Sequence, residues 1–517
     1  MMLVKRLSAA IAIFTLAAAS LTACAGADPE FPTSLGSNDV SSDLRGFYKQ
    51  KVDWQKCEQQ PDSGEVIYCS VIEVPKNWDD VTAGKFSLAA AFLPAKKTAI
   101  GSVVFNPGGP GSAATDWLLS APSGLGTAKL RENFNLVAVD PRGVGASAPA
   151  IECLADNELT ELIYSGQTHP IASAEDREET QAGMRKFFDG CRENLGDDLA
   201  MFSTEFTARD LDVVRSVLGE AKLNYLGFSY GTLLGATYAD LYPSNVGRMV
   251  LDGAINPLLT QEEQTLAQIK GFELALSNYM AACLDNSDCP FKGSLRDAQI
   301  QLETLFAEIE QNPLKTDSNR KLEIWAAVTG VIMPLYGETW WPTLTEALNQ
   351  AFAGDGSGLL ELADIYNDYD PTEAYYFSNL IEANIVINCL DARASAAPSD
   401  MDRQNKRILK ASPVFGRYSL DGGLACAGID IPIKSHEGDY RASGSPAILV
   451  IGTTGDPATP YEQAVDLARL VLANGRLITY QGVGHTAYGS GSSCVDNAVD
   501  DYFIKNAVPT EDLTCQK

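Results

Sequence analysis

An apolar run, Leu223-Asn-Tyr-Leu-Gly-Phe228, leads without a break into Gly227-x-Ser229-x-Gly231, and a helix-forming stretch, 232–238, follows. No other part of the chain restricts its fold so tightly. A serine on a strand-to-helix turn stands on a strained elbow that pushes its hydroxyl out of the sheet. Small residues two before and two after let the chain turn sharply enough. A serine hydroxyl is a weak nucleophile until a neighbouring base takes its proton, so this motif directs attention to histidines and carboxylates elsewhere.

The surrounding pattern is that of an α/β protein. Strands are expected over 65–74, 85–93, 101–105 and 134–140, each short, apolar or β-branched, and bounded by Gly or Pro. Helical patterns then alternate with strands through the elbow to a strand at 248–251, which predicts a mostly parallel central sheet with helices on both faces. After about Pro257 the period changes. Leu266/Ile269/Phe272/Leu276 and Leu302/Leu305/Phe306/Ile309 have helical spacing, and Pro313, Pro334 and Pro342 interrupt the run. Trp325, Trp340, Trp341, Tyr366, Tyr375 and Tyr376 supply a core for this stretch. A helical insert between the later strands would lie over the serine as a cap. Strand patterning returns at 447–452 and 476–480, and an amphipathic helix follows at 495–503. The expected division is a core in two parts, 46–257 and 435–517, with a large helical cap at 258–434.

The amino terminus carries an export signal. Lys5 and Arg6 precede an apolar stretch, 7–21, that ends Leu21-Thr22-Ala23-Cys24, so 1–23 reads as a signal peptide. The cysteine directly after the cut resembles the lipobox of bacterial lipoproteins. That resemblance implies a lipid on Cys24, a membrane anchor on an exported protein, and a flexible tether over 24–45. The chain has a formal net charge of −28, and loss of Lys5 and Arg6 makes it more acidic still, which argues against a nucleic-acid partner. Besides Cys24 there are ten cysteines, an even number in an oxidising compartment, which predicts five disulfides. Nearness along the chain suggests Cys57–Cys69, Cys153–Cys191, Cys283–Cys289, Cys389–Cys426 and Cys494–Cys515. There is no CxxC pair and there are three histidines, so no metal or other cofactor is expected.

Those histidines are His169, in a polar loop, His436, in the charged segment Lys434-Ser435-His436-Glu437, and His485, in Gly482-Val-Gly-His485-Thr486. The last follows an apolar strand on a glycine-bearing loop that can carry its ring to the serine, so His485 is the expected base. For the acid that orients it, Asp456 stands at the end of the strand before, in Gly455-Asp456-Pro-Ala-Thr459-Pro460. Ligands of open α/β sheets bind at such carboxyl ends. Asp252, after the strand at 248–251, is the second choice and reads better as part of a turn closing that strand. Thr459 either hydrogen-bonds the Asp456 loop or caps the next helix. Backbone amides must hold the charge that develops on the substrate oxygen. Tyr230 N–H is one expected donor, and Gly109, in Asn106-Pro-Gly-Gly109-Pro-Gly111, is the other, because the prolines have no N–H. Asp140-Pro-Arg142-Gly reads as architecture bracing the site.

These residues, in the chain order Ser229…Asp456…His485, resemble the α/β-hydrolase superfamily. More narrowly they resemble the tripeptidyl-aminopeptidase-like branch of actinobacteria, related to proline iminopeptidases. The likeness rests on Asn106-Pro-Gly-Gly-Pro-Gly111, Asp140-Pro-Arg-Gly143, Gly227-Phe-Ser-Tyr-Gly-Thr232, Asp456-Pro-Ala-Thr-Pro460 and Gly484-His485, spread over about residues 50–515. It implies a serine hydrolase acting on a peptide, near its free amino end, or on an ester. The lipobox and ten cysteines further resemble the cell-envelope serine hydrolases of mycobacteria and corynebacteria. Proline iminopeptidases usually have His where this chain has Asn106, which weakens an expectation of proline specificity. An exopeptidase needs a carboxylate to meet the substrate ammonium. Asp391 and Glu382 in the insert are the candidates, nine residues apart and so on different faces if helical. A binding lipoprotein on a retired hydrolase scaffold is the other class, disfavoured because all three catalytic residue types are present.

Overall fold

The computed structural model describes residues 31–35, 40–166 and 168–517. Residues 1–30, including Cys24 and the stretch expected as a signal peptide, lie outside them. Ten strands form one sheet: β1 (Gln55–Lys56), β2 (Tyr68–Pro75), β3 (Lys85–Leu93), β4 (Gly101–Asn106), β5 (Phe134–Val139), β6 (Leu223–Phe228), β7 (Val246–Asp252), β8 (Ile448–Gly455), β9 (Gly475–Val483) and β10 (Leu513–Gln516), in the order β1-β2-β3-β5-β4-β6-β7-β8-β9-β10. From β5 to β10 every pairing is parallel, and β1, β2 and β3 add an antiparallel edge.

Parallel strands buried on both faces read as nearly continuous apolar runs. β8 is such a run: Ile448 to Ile451 are all buried, and Leu449 and Ile451 pack with Val103, Phe105, Leu226 and Val250 against Val495, Val499 and Phe503 of the helix Ser493–Lys505. On the other face α1 (Thr204–Val217) and α2 (Tyr230–Leu241) cover the sheet. Under α1 the buried Arg142 guanidinium donates to both carboxylate oxygens of Asp210 at 2.7 and 2.6 Å, and Trp78 Nε1 donates to the same carboxylate at 2.8 Å. A buried guanidinium is tolerable only when so matched. The Asp140-Pro-Arg142 segment therefore ties the antiparallel edge to α1.

Between β7 and β8 the regular structure is helical apart from two short hairpins, Leu314–Lys315 with Lys321–Leu322 and Tyr369–Asp370 with Tyr375–Tyr376. This insertion has its own core, with Phe272, Leu276, Leu302, Phe306, Leu348, Leu359 and Phe415 among its buried members. The hairpins escape sequence pattern because two-residue strands show no period. So does β10, which follows the last helix and is tied back to it by Cys494–Cys515. The other disulfides are Cys57–Cys69, Cys153–Cys191, Cys283–Cys289 and Cys389–Cys426. Part of the segment expected as a tether packs on the body, where Leu35 N–H donates to Ser216 O at 3.1 Å; at its end Arg45–Tyr48 form a helical turn, and the Tyr48 hydroxyl, just beyond the segment, reaches Asp212 at 2.9 Å. Among the described residues no helix is long and apolar enough to cross a membrane.

Candidate active site

Ser229 sits between β6 and α2 with φ 54° and ψ −123°, a conformation that L-residues rarely hold. The surroundings impose it. Ser229 N–H donates to Asp252 O at 2.9 Å, and Thr232 Oγ1 donates to Ser229 O at 2.6 Å. A Cβ on Gly227 would lie 2.3 Å from Gly231 O, so strand and helix can meet here only through glycine.

Asp456 follows β8, and its carboxylate accepts the N–H groups of Ala458 and Thr459, each at 2.9 Å, and the Thr459 hydroxyl at 3.1 Å. His485, on the loop after β9, turns Nδ1 to both Asp456 oxygens at 2.9 Å. A proton on Nδ1 donated to this carboxylate leaves Nε2 as the acceptor. Burial alone would lower the imidazole pKa, but the charge and hydrogen bond of Asp456 outweigh it and hold the group above its ordinary value. Asp252, the second-choice acid, acts on the backbone instead. Its buried carboxylate accepts the amides of Ala487 (3.0 Å) and Tyr488 (2.8 Å), and burial pushes it up to about 6. One aspartate holds the ring and the other holds the loop.

Gly253 brings that ring beside the elbow. It follows Asp252, has φ +68°, and a Cβ there would stand 3.0 Å from His485 Cε1. Among the described residues Ser229 Oγ makes no hydrogen bond to His485, and catalytic hydrogen bonds are often long without substrate. Gly253→Ala is expected to lower kcat about 10- to 100-fold, because small displacements of a catalytic group cost on that scale. Steady-state kinetics beside a thermal melt checks this, since a loss of rate at unchanged folding locates the effect at the ring.

The Asn106–Gly111 loop lies against the elbow: a Cβ on Gly108 would be 3.0 Å from Ser229 Cβ and 3.4 Å from Tyr230 N. Gly108 N–H is engaged by Asn106 Oδ1 at 3.0 Å. The N–H groups of Gly109 and Tyr230 donate to no acceptor among the described residues. Tyr230 begins α2, where amides have no intrahelical partner and the helix end favours negative charge.

Ser229, Gly109 and Tyr230 line a cavity of about 470 Å³, and Tyr336, Tyr366 and Asn384 of the insertion line it as well. Another part of its wall is acidic. Asp391 ends α3 (Leu380–Asp391) and accepts the Thr204 N–H at 2.9 Å and the Thr204 hydroxyl, which also meets the Tyr230 hydroxyl. Burial pushes Asp391 up to about 7. Glu205 lines the cavity too, with one oxygen held by Arg209 at 2.6 Å and the other 4.0 Å from Nδ1 of His436. His436 gives Nε2 to Asp240 at 2.8 Å, and His169 is a surface residue 3.9 Å from Glu179. Glu382 is a correction. Nine residues along α3 turn it to the face away from Asp391, where its carboxylate accepts the amides of Cys153 (2.7 Å) and Leu154 (3.0 Å) instead of lining the cavity. Thr204, Glu205 and Tyr336 carry no local motif, and only tertiary packing brings them here.

The sheet, its order and the nucleophile elbow define an α/β-hydrolase, and the sequence profile described as the alpha/beta hydrolase fold matches residues 101–492. The chain belongs to that family and is a serine hydrolase. It is 33% identical over 480 residues to "Serine protease Hip1" of Mycobacterium tuberculosis, covering 90% of this chain and 91% of that one. It is 34% identical over 479 residues to "Carboxylesterase B" of the same species, covering 89% of each. It is 30% identical over 482 residues to a "Tripeptidyl aminopeptidase" of Streptomyces coelicolor, covering 90% of this chain and 86% of the relative.

Proposed function

We propose that this serine hydrolase is an exported, lipid-anchored peptidase that releases short peptides from the amino end of its substrate. Ser229 attacks the acyl carbon as His485 Nε2 takes its proton. Asp456 keeps the ring in the required tautomer and stabilises the imidazolium. The N–H groups of Tyr230 and Gly109 receive the oxyanion. His485 then protonates the leaving amine, and water releases the acyl group by the same path. The observation that carries the reading is the doubly bonded Asp456–His485 pair beside a strained serine, with two unused amides at the elbow. Cys24 bears the lipid, and the insertion serves as the cap over the site.

Peptide specificity is supported by the peptidase relatives and by the acidic wall. Asp391 and Glu205 line the cavity, with Arg209 bonded to Glu205, so a substrate ammonium finds carboxylates to meet it. Through the Thr204 hydroxyl Asp391 is linked to the Tyr230 hydroxyl, and Asp391, Tyr230 and Ser229 all line the one cavity. Asp391→Asn is expected to raise KM for free-amine tripeptide anilides by about 10- to 100-fold, the worth of a charge-assisted hydrogen bond. Turnover of p-nitrophenyl esters should not change. Initial rates on both substrates, with N-acetylated peptides alongside, decide it. Equal hydrolysis of blocked and free peptides removes the aminopeptidase reading. The likeness to a carboxylesterase supports the second reading, an esterase using the same serine chemistry. Fast ester turnover with no cleavage of free tripeptides would favour it.

A further inference from the structure

The loop that carries His485 is strained and needs to be held. Thr486, a β-branched residue, has φ +67°, which persists only where neighbours over-determine it. The core provides four holds: Asp456 on the ring, Asp252 on the amides of Ala487 and Tyr488, and Gly455 O on Gly484 N–H at 3.3 Å. The amide of His485 itself is held from outside the core. It donates at 2.8 Å to the carbonyl of Tyr336, in the turn Met333–Tyr336 of the helical insertion. The Tyr336 ring stands edge-on to the imidazole, with centroids 5.5 Å apart and planes at 82°. That ring is itself seated by Phe272 (centroids 5.6 Å) and by Tyr366, whose hydroxyl is 3.4 Å from its own.

We propose that Tyr336 is a positioning residue for the catalytic base, seating His485 from the insertion so that full proton-transfer competence requires the insertion to be docked. The inference rests on His485 being the base. It goes beyond that assignment, because the core alone would be expected to hold its own histidine. Truncating the ring lets the turn relax toward the space it vacates and carries the carbonyl with it. The histidine amide then loses its acceptor, and the strained loop loses one of its restraints. Asp456 and Asp252 from the core and Tyr336 from the insertion are the titratable groups facing the imidazole. Of these, Tyr336 contributes to the burial that lowers its pKa.

The test compares Tyr336→Ala, Tyr336→Leu and Tyr336→Phe with wild type and His485→Ala in the full mature chain. Fluorophosphonate labelling rate, kcat, KM, the pH profile of kcat/KM and a thermal melt are recorded. Tyr336→Ala and Tyr336→Leu should lower kcat and the labelling rate together by about 10- to 100-fold. KM should change little, and the acid limb should move to higher pH as the ring becomes better solvated. Tyr336→Phe, which keeps the ring, should restore the rate. If Tyr336→Ala and Tyr336→Leu label at the wild-type rate with an unmoved pH profile and only KM rises, Tyr336 merely lines the cavity and the proposal is overturned. It is equally overturned if Tyr336→Phe is as slow as Tyr336→Ala, since the hydroxyl contact with Tyr366 is then the cause. Undiminished labelling of His485→Ala would instead remove the base assignment itself.

Discussion

Ser229→Ala is expected to abolish labelling by fluorophosphonate and to reduce turnover of esters and peptides alike by about a millionfold, the scale on which loss of a triad nucleophile acts. The variant should fold. Its N–H still donates to Asp252 O and its carbonyl still accepts from Thr232, so the melting temperature should stay near that of wild type. The effect should also be blind to substrate, because cavity walls choose the substrate while the nucleophile serves every acyl group. Labelling that survives at another residue would place the chemistry elsewhere in the molecule.

Asp456→Asn is the second large effect. The asparagine side chain can keep the shape of the loop, yet it can present an N–H to His485 Nδ1 and so favour the tautomer with its proton on Nε2, the atom that accepts from Ser229 in the mechanism we propose. A loss of about 10⁴ in kcat is expected. The pH profile separates this from simple disorder. His485 must be neutral to accept a proton, so activity falls as pH drops through its pKa, which Asp456 holds above the ordinary histidine value of about 6.5. Without that charge the burial that lowers the pKa is no longer outweighed. The residual activity of Asp456→Asn should therefore persist to lower pH than wild-type activity does. An acid limb that stays in place while the rate falls would show that Asp252, not Asp456, sets the base.

The parts of the site readable from sequence are those fixed by local geometry. Ser229 is legible because a strand, two close glycines and a helix can be joined in few ways. Asp456 and His485 each follow directly on an apolar strand, and the parallel sheet brings those strand ends together. Asp252 shows where such reasoning stops. It also follows a strand and is buried at the same corner, and its role is settled only by which way its carboxylate turns, to the amides of 487 and 488. Glu382 and Asp391 share a helix, and its period separates them, but which face meets the cavity depends on partners far away in sequence, Thr204 for one and the amides of Cys153 and Leu154 for the other. Tyr336 and Glu205 lie out of reach of any local pattern. Each reaches the site through helix packing, and an aromatic or acidic residue at helical spacing carries no mark of what it will touch.

The insertion leaves the sheet after β7 and returns at β8, and these strands are neighbours. Because β7 and β8 run parallel, the chain leaves at Asp252 and re-enters at Ile448, which pairs with Met249, so the two points are offset by three residues, about 10 Å, along the sheet. Its two disulfides, Cys283–Cys289 and Cys389–Cys426, both close within it. Such a module can be rebuilt over evolutionary time without disturbing the strands that carry the chemistry, a physical route by which relatives bearing peptidase and esterase names can diverge on one scaffold. The contact between Tyr336 and His485 sets a condition on that freedom: whatever replaces the module must still meet the histidine loop.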